Sequence, residues 1–481
     1  MDFSLSNRFE QQLNASPLTR NMWLLWALSA GLIMLDGFDF FIIGVALPFL
    51  KQDFQLSAAA IGLTAVAAIA GSLFGSLTLG PVTDRIGRQK MLVIDVVIFV
   101  LATAGTALAW NVEALVLFRF VVGVGIGADY PISVSYITEN IPARRRGQMV
   151  IGAFAFQAVG ALLGAITGVV VIKAFSTMTG GELLAIQYAW RIMLGIGGGL
   201  ALGVAALRLG FTLESPSYHI ARQEYELASE TASFLLAKEI TITAESDPPP
   251  ETEATNYGSL FSAPYRSRTL LASVPWFLQD IATYGVGIFT PTIISAIAFS
   301  GKDSFLARET AAAQGAALVD CFLIFGFLLA IWLVERWGRV RLQISGFVGM
   351  AIGLAVLAYA STQNAETTWG LSLVFIGFIV FNLSMNAGPN ATTFLLSGEV
   401  FPPVIRASGA GLAAAIAKLG AVAGTFGLPL LQSQLGDTWV LSLLPVVCLL
   451  AAGITWQYRT SAKDLIQTPV QAIALNTSEL T

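Results

Sequence analysis

The chain has 481 residues, of which 55% are hydrophobic and only 12% are charged. Soluble domains carry about a quarter charged residues, so this composition argues against an ordinary soluble enzyme and predicts a polytopic membrane protein. With one histidine, two cysteines and a net charge of −4, the chain offers neither a disulfide framework nor a histidine-based metal site. We expect no metal, no cofactor and no nucleic-acid partner.

Twelve apolar runs are each long enough to cross the hydrocarbon core as a helix, which takes about 20 residues. They cover residues 22–49, 57–80, 91–110, 114–138, 149–174, 191–212, 269–299, 313–334, 342–361, 369–397, 405–430 and 437–457. A long polar stretch, 213–268, separates six runs from six and is predicted to be a linker. The sequence therefore predicts an all-α integral membrane protein with twelve transmembrane helices in two six-helix halves, 22–212 and 269–457.

Lysine and arginine residues are concentrated in alternate loops. Most of the 26 basic residues fall on the side that also holds the N-terminal segment 1–21, the linker and the tail 458–481. Cytoplasmic loops carry the excess of Lys and Arg. Both termini and the linker are therefore predicted to be cytoplasmic, with the chain spanning the plasma (inner) membrane many times.

Two charged motifs recur in the same order in both halves. Asp-Arg-Ile-Gly-Arg at 84–88 follows the second run, and Glu-Arg-Trp-Gly-Arg at 335–339 follows the eighth. The pattern Glu-x-x-Pro-x-x-x-Arg closes the fourth run at 139–146 and the tenth run at 399–406. Such a repeat is typical of transporters, in which substrate is held near the membrane midplane between the two halves.

The segment Gly-Pro-Val-Thr-Asp-Arg-Ile-Gly-Arg-Gln-Lys at 80–90 resembles the signature loop of the major facilitator superfamily. The glycines of 123–127, the 139–146 motif and Glu-Ser-Pro at 214–216 are similar to its sugar-porter branch. The resemblance covers about 20–460 and implies alternating access with a cytoplasmic conformational latch. The residues assigned to that latch are Asp84, Arg85, Arg88, Arg119, Glu139, Arg146, Glu335, Arg336, Arg339, Glu399 and Arg406.

Carboxylates within the apolar runs are candidates for proton coupling, because charge inside a membrane is expensive and is usually functional. Asp36 and Asp39 are three residues apart in the first run, and Asp129 follows the glycines of the fourth. Two neighbouring buried carboxylates seldom ionise together, which suits proton carriage. The alternative for Asp36 and Asp39 is a structural bond to a neighbouring helix, for example through Arg119.

Polar side chains also repeat at helical spacing in the seventh run. Trp276, Asp280 and Tyr284 are four residues apart, so they share one helix face, which we interpret as a binding face. Lys418 stands alone as a lysine within the apolar runs. A buried ammonium needs an anionic partner, for which Asp280, Asp320 and a bound anion are alternatives.

In the tenth run, Asn382, Asn386 and Asn390 repeat at the same spacing beside a Gly-Pro pair. Proline and glycine interrupt the backbone hydrogen bonds there. We expect at least one of these amides to contact substrate, while helix packing remains the alternative for any single one. Gln157 in the fifth run and Tyr130 beside Asp129 are further candidates.

Two longer motifs resemble the phosphate:proton symporter family of fungi and plants. They are Gly-Pro-Asn-Ala-Thr-Thr-Phe at 388–394, followed by Gly-Glu-Val-Phe-Pro at 398–402, and Gly-Ile-Gly-Ala-Asp-Tyr-Pro at 125–131. The resemblance implies that Asp36 and Asp129 handle the proton and Lys418 neutralises charge. It implies that phosphate is bound by Tyr130, Gln157, Trp276, Asp280, Tyr284 and one of Asn386 and Asn390.

The sequence thus predicts a proton-coupled symporter of inorganic phosphate that works by alternating access and is not an enzyme. We expect a monomer in the lipid bilayer, with a small anion and protons as its ligands. A carboxylate at Asp280 could accept a hydroxyl hydrogen of monobasic phosphate, which sulfate lacks at neutral pH. The alternatives are a proton-coupled symporter of a sugar or small organic acid, and a nutrient receptor that does not translocate its ligand.

Overall fold

The computed structural model describes residues 5–86, 88–209, 213–243, 257–298, 304–363, 367–401 and 403–462, which are almost entirely helical. The α-helices are, in chain order, α1 Leu5–Ala15, α2 Arg20–Asp53, α3 Ala58–Ile86, α4 Arg88–Ala107, α5 Val112–Asn140, α6 Ala143–Ser176, α7 Gly181–Leu209, α8 Pro216–Ala221, α9 Tyr225–Leu236, α10 Ala263–Gly287, α11 Thr290–Ala298, α12 Phe305–Trp337, α13 Arg339–Ala360, α14 Thr368–Ala387, α15 Pro389–Glu399, α16 Pro403–Leu435 and α17 Asp437–Gln457. Short 3₁₀ helices lie at Tyr257–Phe261 and Arg459–Ala462.

Every predicted run lies on one of these helices or on a consecutive pair. Among the residues described, nine helices are long and apolar enough to cross a membrane, or ten when α10 and α11, which meet at a bend of 54°, count as one. The other two runs lie on α4 and α5. Pro389 ends α14 and begins α15, because proline has no N–H to continue the helical hydrogen bonds. The predicted all-α membrane fold with twelve spans is confirmed.

The chain divides into two compact units. The first comprises residues 1–251 and 288–321, and the second comprises 252–287 and 322–481. The first unit thus includes α11 and the first half of α12, which the sequence had assigned to the C-terminal half. The linker and the exact ends of the two halves stay predictions.

Corresponding helices pack in the same pairs within each unit. In the first unit α2 packs against α6 and α7, while α4 packs against α5 and α7. In the second unit α10 packs against α16 and α17, while α13 packs against α14 and α17. The first, third, fourth, fifth and sixth spans therefore have counterparts six spans later. The repeat seen in the charged motifs is present in the helix packing.

Glycines bring the backbones of paired helices into direct contact. A Cβ atom on Gly37 of α2 would overlap the carbonyl of Gln157 in α6, and one on Gly160 would overlap the carbonyl of Met34. In the second unit, Gly420 of α16 lies equally close to the backbone of α10. Small residues permit this approach in membranes, where close packing replaces the hydrophobic driving force. The glycines of the fourth span make similar contacts: Gly123 and Gly127 lie against α3, and Gly125 lies against Asp95 of α4.

We expect Gly160→Ala to destabilise the first unit by about 1–3 kcal/mol, because the added methyl group must displace the backbone of α2. Gly199→Ala in α7 is the matched control, since a Cβ atom there would meet nothing within 4 Å. Thermal unfolding of the two purified variants measures the difference. Equal unfolding midpoints would mean that α2 and α6 are not in backbone contact.

Candidate functional site

The polar stripe predicted in the seventh span lies on one continuous helix, α10, in the second unit. Asp280 and Tyr284 are buried, and Trp276 is half-buried. The Trp276 ring packs edge-on against Phe394 of α15, with 6.1 Å between ring centroids and an interplanar angle of 90°. The stripe therefore combines an aromatic surface, a hydroxyl donor and a carboxylate on one helix.

Lys418 of α16 joins this stripe. Its Nζ donates a hydrogen bond to the hydroxyl of Tyr284 at 3.1 Å and lies 4.9 Å from the centre of that ring. It also interacts electrostatically with Asp280, one of the two carboxylate partners that the sequence suggested. Since an unpaired charge is costly in a membrane interior, attraction between the ammonium and the Asp280 carboxylate lowers the cost of burying both groups.

Four side chains form a hydrogen-bonded series across α10, α14 and α15, which we call the amide chain: Thr393, Gln279, Asn390 and Asn386. The Thr393 hydroxyl donates to Gln279 Oε1 at 2.9 Å, and Gln279 Nε2 donates to Asn390 Oδ1 at 3.1 Å. Asn390 Nδ2 donates to Asn386 Oδ1 at 2.7 Å, and Asn386 Nδ2 donates to the Leu323 carbonyl at 3.0 Å. The amide chain ends on the backbone of α12.

The two asparagines that the sequence left as alternatives differ in exposure. Asn386 is 1% exposed and bridges α12 and Asn390, whereas Asn390 is half-buried. Asn390 is thus the better placed of the two to reach a ligand. Asn382 is buried on α14, which fits a packing role.

Gln279 belongs to the candidate site although the sequence pattern did not single it out. It is fully buried and lies next to Asp280, one residue off the predicted stripe. The sequence signal that could have identified Gln279 is an uncharged amide in the middle of a span. Burying such an amide costs free energy unless another polar group forms a hydrogen bond with it. The partners that satisfy it, Asn390 and Thr393, come from another helix and could not be read from the local pattern.

In the first unit, Asp39 of α2 forms a buried ion pair with Arg119 of α5. Arg119 Nη1 donates to both carboxylate oxygens at 2.9 Å, and Nη2 donates to the Asp39 carbonyl at 3.3 Å. Neither side chain is more than 3% exposed. This is the structural bond that the sequence offered as the alternative to proton coupling for Asp39, and it places Arg119 within the span rather than among the latch contacts.

The other first-unit candidates lie on three helices. Asp36 is fully buried on α2, one turn before Asp39, and Gln157 is half-buried on α6. Asp129 and Tyr130 lie on α5, but their side chains fall outside the described part of the chain. Their predicted roles stay predictions.

The charged motifs of the second unit meet at one point. Arg339 donates to both oxygens of Glu335 at 3.1 and 3.2 Å, and to both oxygens of Glu399 at 3.2 and 3.3 Å. We call these three residues the latch cluster, which joins the ends of α12, α13 and α15. Arg336 instead lies over the Trp332 ring at 4.2 Å, and the side chain of Arg406 is outside the described residues.

The corresponding motifs of the first unit are only partly described. Asp84, Arg85 and Arg88 lie on α3 and α4, and their side chains fall outside the described part of the chain. Glu139 is half-buried at the end of α5. Arg146 pairs with Glu10 of α1 at 3.6 Å, so an N-terminal helix that the sequence did not predict contacts the predicted latch.

A protein-family model described as sugar (and other) transporter matches residues 24–463. Inorganic phosphate transporter 1-1 of Arabidopsis thaliana is 29% identical over 397 residues, which cover 76% of this chain and 74% of the relative. Low affinity inorganic phosphate transporter 4 of Petunia hybrida is 28% identical over 389 residues, which cover 75% of this chain and 72% of the relative.

Among solved structures, the fold is similar to the xylose transporter XylE from E. coli in a partially occluded inward-open conformation. The TM-score is 0.72 at 21% identity, and the match covers 91% of this chain and 98% of the transporter. At this level of sequence identity, the similarity supports a shared fold.

We expect Asp39→Asn to destabilise the protein by about 3–5 kcal/mol, because the substitution leaves the Arg119 charge buried without a counter-charge. The double variant Asp39→Asn/Arg119→Gln removes both charges and should recover most of the loss. Thermal unfolding and folded yield of the purified variants report the change. A double variant less stable than Asp39→Asn would contradict this interpretation.

Proposed function

The chain belongs to the sugar (and other) transporter family, and from this premise we propose that it is a proton-coupled symporter of inorganic phosphate that works by alternating access. The relatives named as inorganic phosphate transporters support the substrate. The duplicated helix pairs support the mechanism, since two such repeats can alternate around a central site. We infer a monomer in the plasma (inner) membrane with both termini cytoplasmic, and no enzymatic activity.

The observation that carries the proposal is the grouping of Asp280 and Tyr284, one turn apart on α10, with Lys418 of the facing helix α16. Lys418 and Tyr284 are hydrogen-bonded, and Lys418 also interacts with Asp280. A carboxylate beside an ammonium suits a ligand that carries both a negative charge and a hydrogen to donate. Monobasic phosphate has both properties, because its charged oxygens accept from Lys418 and Tyr284 while a hydroxyl donates to Asp280.

The same arrangement discriminates between anions. Sulfate at neutral pH has no hydrogen to donate, so the Asp280 carboxylate would repel it and remain an unsatisfied acceptor. Trp276 and Asn390 lie on the same part of the second unit and supply further N–H donors for phosphate oxygens. Tyr130 and Gln157 of the first unit remain proposed ligands on the strength of the family resemblance.

Coupling to protons follows from the charge of the substrate. Moving one negative charge into a compartment 100 mV negative costs about 2.3 kcal/mol, and a proton that travels with phosphate removes this cost. Asp36, fully buried in α2, and Asp129 of α5 are the proposed carriers. Asp39 would contribute through its ion pair with Arg119, which is already satisfied within the protein.

The latch cluster has a separate role in this proposal. Arg339 holds Glu335 and Glu399 together at the ends of three helices. Because Glu335 is 60% exposed and Glu399 34% exposed, these ion pairs are weak enough to break during a transport cycle. We propose that they bias the conformation without touching the substrate.

Uptake by the purified protein in lipid vesicles tests the proposed function. Labelled phosphate, sulfate, xylose and benzoate are offered with and without an inward proton gradient. Accumulation of phosphate alone, and only with the gradient, is the expected result. Gradient-driven accumulation of xylose or benzoate without phosphate would establish the sugar or organic-acid alternative, and binding of phosphate without uptake would indicate a receptor.

Asp280→Asn should weaken phosphate binding by roughly one to two decades in Kd, because a charge-assisted hydrogen bond is worth about 1.5–3 kcal/mol. It should also reduce the discrimination against sulfate, since the repulsive charge is gone. Asp320→Asn is the matched control, a buried carboxylate that we place outside the site. Binding isotherms measure the Kd of each variant for phosphate and for sulfate. Unchanged Kd values for Asp280→Asn would show that Asp280 is not part of the site.

Asp36→Asn and Asp129→Asn should abolish accumulation driven by a proton gradient, while exchange of phosphate across the membrane should be affected less. Exchange needs no net movement of protons, so it separates coupling from binding. Asp95→Asn serves as the control because Asp95 is equally buried in the same unit but has no proposed role. Full accumulation by both test variants would assign these carboxylates to structure.

A further inference from the structure

The amide chain has a fixed direction. A backbone carbonyl can only accept hydrogen bonds, so the atom of Asn386 that faces the Leu323 carbonyl, at 3.0 Å, must be the amide nitrogen. The Asn386 oxygen then faces Asn390 and must accept from its nitrogen, at 2.7 Å. The orientation of the first amide thus determines that of the second.

Gln279 completes this sequence of constraints. With its nitrogen committed to Asn386, Asn390 turns its oxygen toward Gln279, whose Nε2 donates to it at 3.1 Å. Gln279 Oε1 then accepts from Thr393 at 2.9 Å. Because the Thr393 hydroxyl can also donate to the Pro389 carbonyl at 2.8 Å, Thr393 is the weaker end and the Leu323 carbonyl is the anchor.

The direction of the amide chain determines which group of Asn390, an N–H or the carbonyl oxygen, faces a ligand. Its oxygen is held by Gln279, and one of its two N–H groups is held by Asn386. The second N–H makes no hydrogen bond with the part of the chain that the structure describes, and Asn390 is half-buried. Gln279 itself is fully buried, so its effect on a ligand must pass through Asn390.

We propose that Gln279 is a positioning residue that sets the anion preference of the site, by holding the Asn390 amide with its N–H toward the substrate. This inference rests on the proposed function. With the amide reversed, Asn390 would present a carbonyl oxygen, which repels an anion and suits a hydroxyl-rich ligand instead. Asn386, fixed by the Leu323 carbonyl, opposes this reversal because its oxygen would then face the Asn390 oxygen. Gln279 adds a second restraint, because its N–H would then face the Asn390 N–H.

A double-mutant cycle tests whether Gln279 acts through Asn390. Phosphate and sulfate binding are measured on the purified full-length protein for wild type, Gln279→Met, Asn390→Ala and the double variant. Methionine keeps the length of glutamine without its donor. We expect Gln279→Met to raise the phosphate Kd roughly three- to tenfold, with KM for uptake raised and kcat little changed.

In the Asn390→Ala background the same substitution should change the phosphate Kd by less than about twofold, since the residue through which Gln279 acts is gone. If the double variant raises the phosphate Kd by the product of the two single-variant factors, the inference is overturned while the proposed function stays in place. A wild type that binds no phosphate would overturn the proposed function together with the inference, so the two failures are distinguishable.

Two adjacent threonines allow a second, independent test if the Gln279→Met variant does not fold. Thr393 donates to Gln279, whereas Thr392, equally buried, donates to Gln343 at 3.1 Å outside the amide chain. We expect Thr393→Val to raise the phosphate Kd about two- to threefold and Thr392→Val to leave it unchanged. Equal effects of the two substitutions would overturn the inference.

Discussion

A polar side chain in the hydrocarbon core of a bilayer has no water to bind, so its partners must come from the protein or from a ligand. The arrangement of both units follows from this constraint. In the first unit the Arg119 guanidinium donates three hydrogen bonds to one residue, Asp39. In the second unit two asparagines, one glutamine and one threonine satisfy each other and end on a backbone carbonyl.

Close helix packing makes these partnerships possible. Gly420 and Gly424 of α16 approach the backbone of α10 so nearly that no Cβ atom would fit, and Lys418 lies half a turn before Gly420. The Lys418 ammonium therefore reaches the Tyr284 hydroxyl on the facing helix. Larger residues at the glycine positions would separate the helices and leave both charges without partners, so packing and electrostatics are coupled here.

The polar groups fall into two kinds that differ in what satisfies them. Asp39 with Arg119, and Asn386 with Leu323, find their partners within the protein and hold helices together. The second kind is represented by Asp280, which makes no hydrogen bond with the described part of the chain and shares a helix face with Trp276 and Tyr284. Groups of the second kind gain from a ligand, and for this reason they are the basis of the proposed phosphate site.

The sequence by itself determined the elements of the fold. Hydrophobic runs of membrane-spanning length, the linker and the repeated charged motifs are local properties, and the structure has helices where they were predicted. The family resemblance assigned Glu335, Arg339 and Glu399 to a latch, and the structure shows that the three side chains form ion pairs; their role in transport stays a proposal. The stripe of Trp276, Asp280 and Tyr284 follows from helical periodicity alone.

Only the tertiary structure decided which polar groups meet. Asp39 and Arg119 are 80 residues apart, and Gln279 and Asn390 are 111 apart. The local sequence pattern determines the helix face on which each residue lies. Its partner depends on which other helix packs against that face and on how the two helices are aligned along their axes. The sequence could therefore name Asp39 as either a proton carrier or a structural anchor, and it gave Gln279 no role at all. The packing of α5 against α2 assigned Asp39 to Arg119, and the packing of α15 against α10 assigned Gln279 to Asn390.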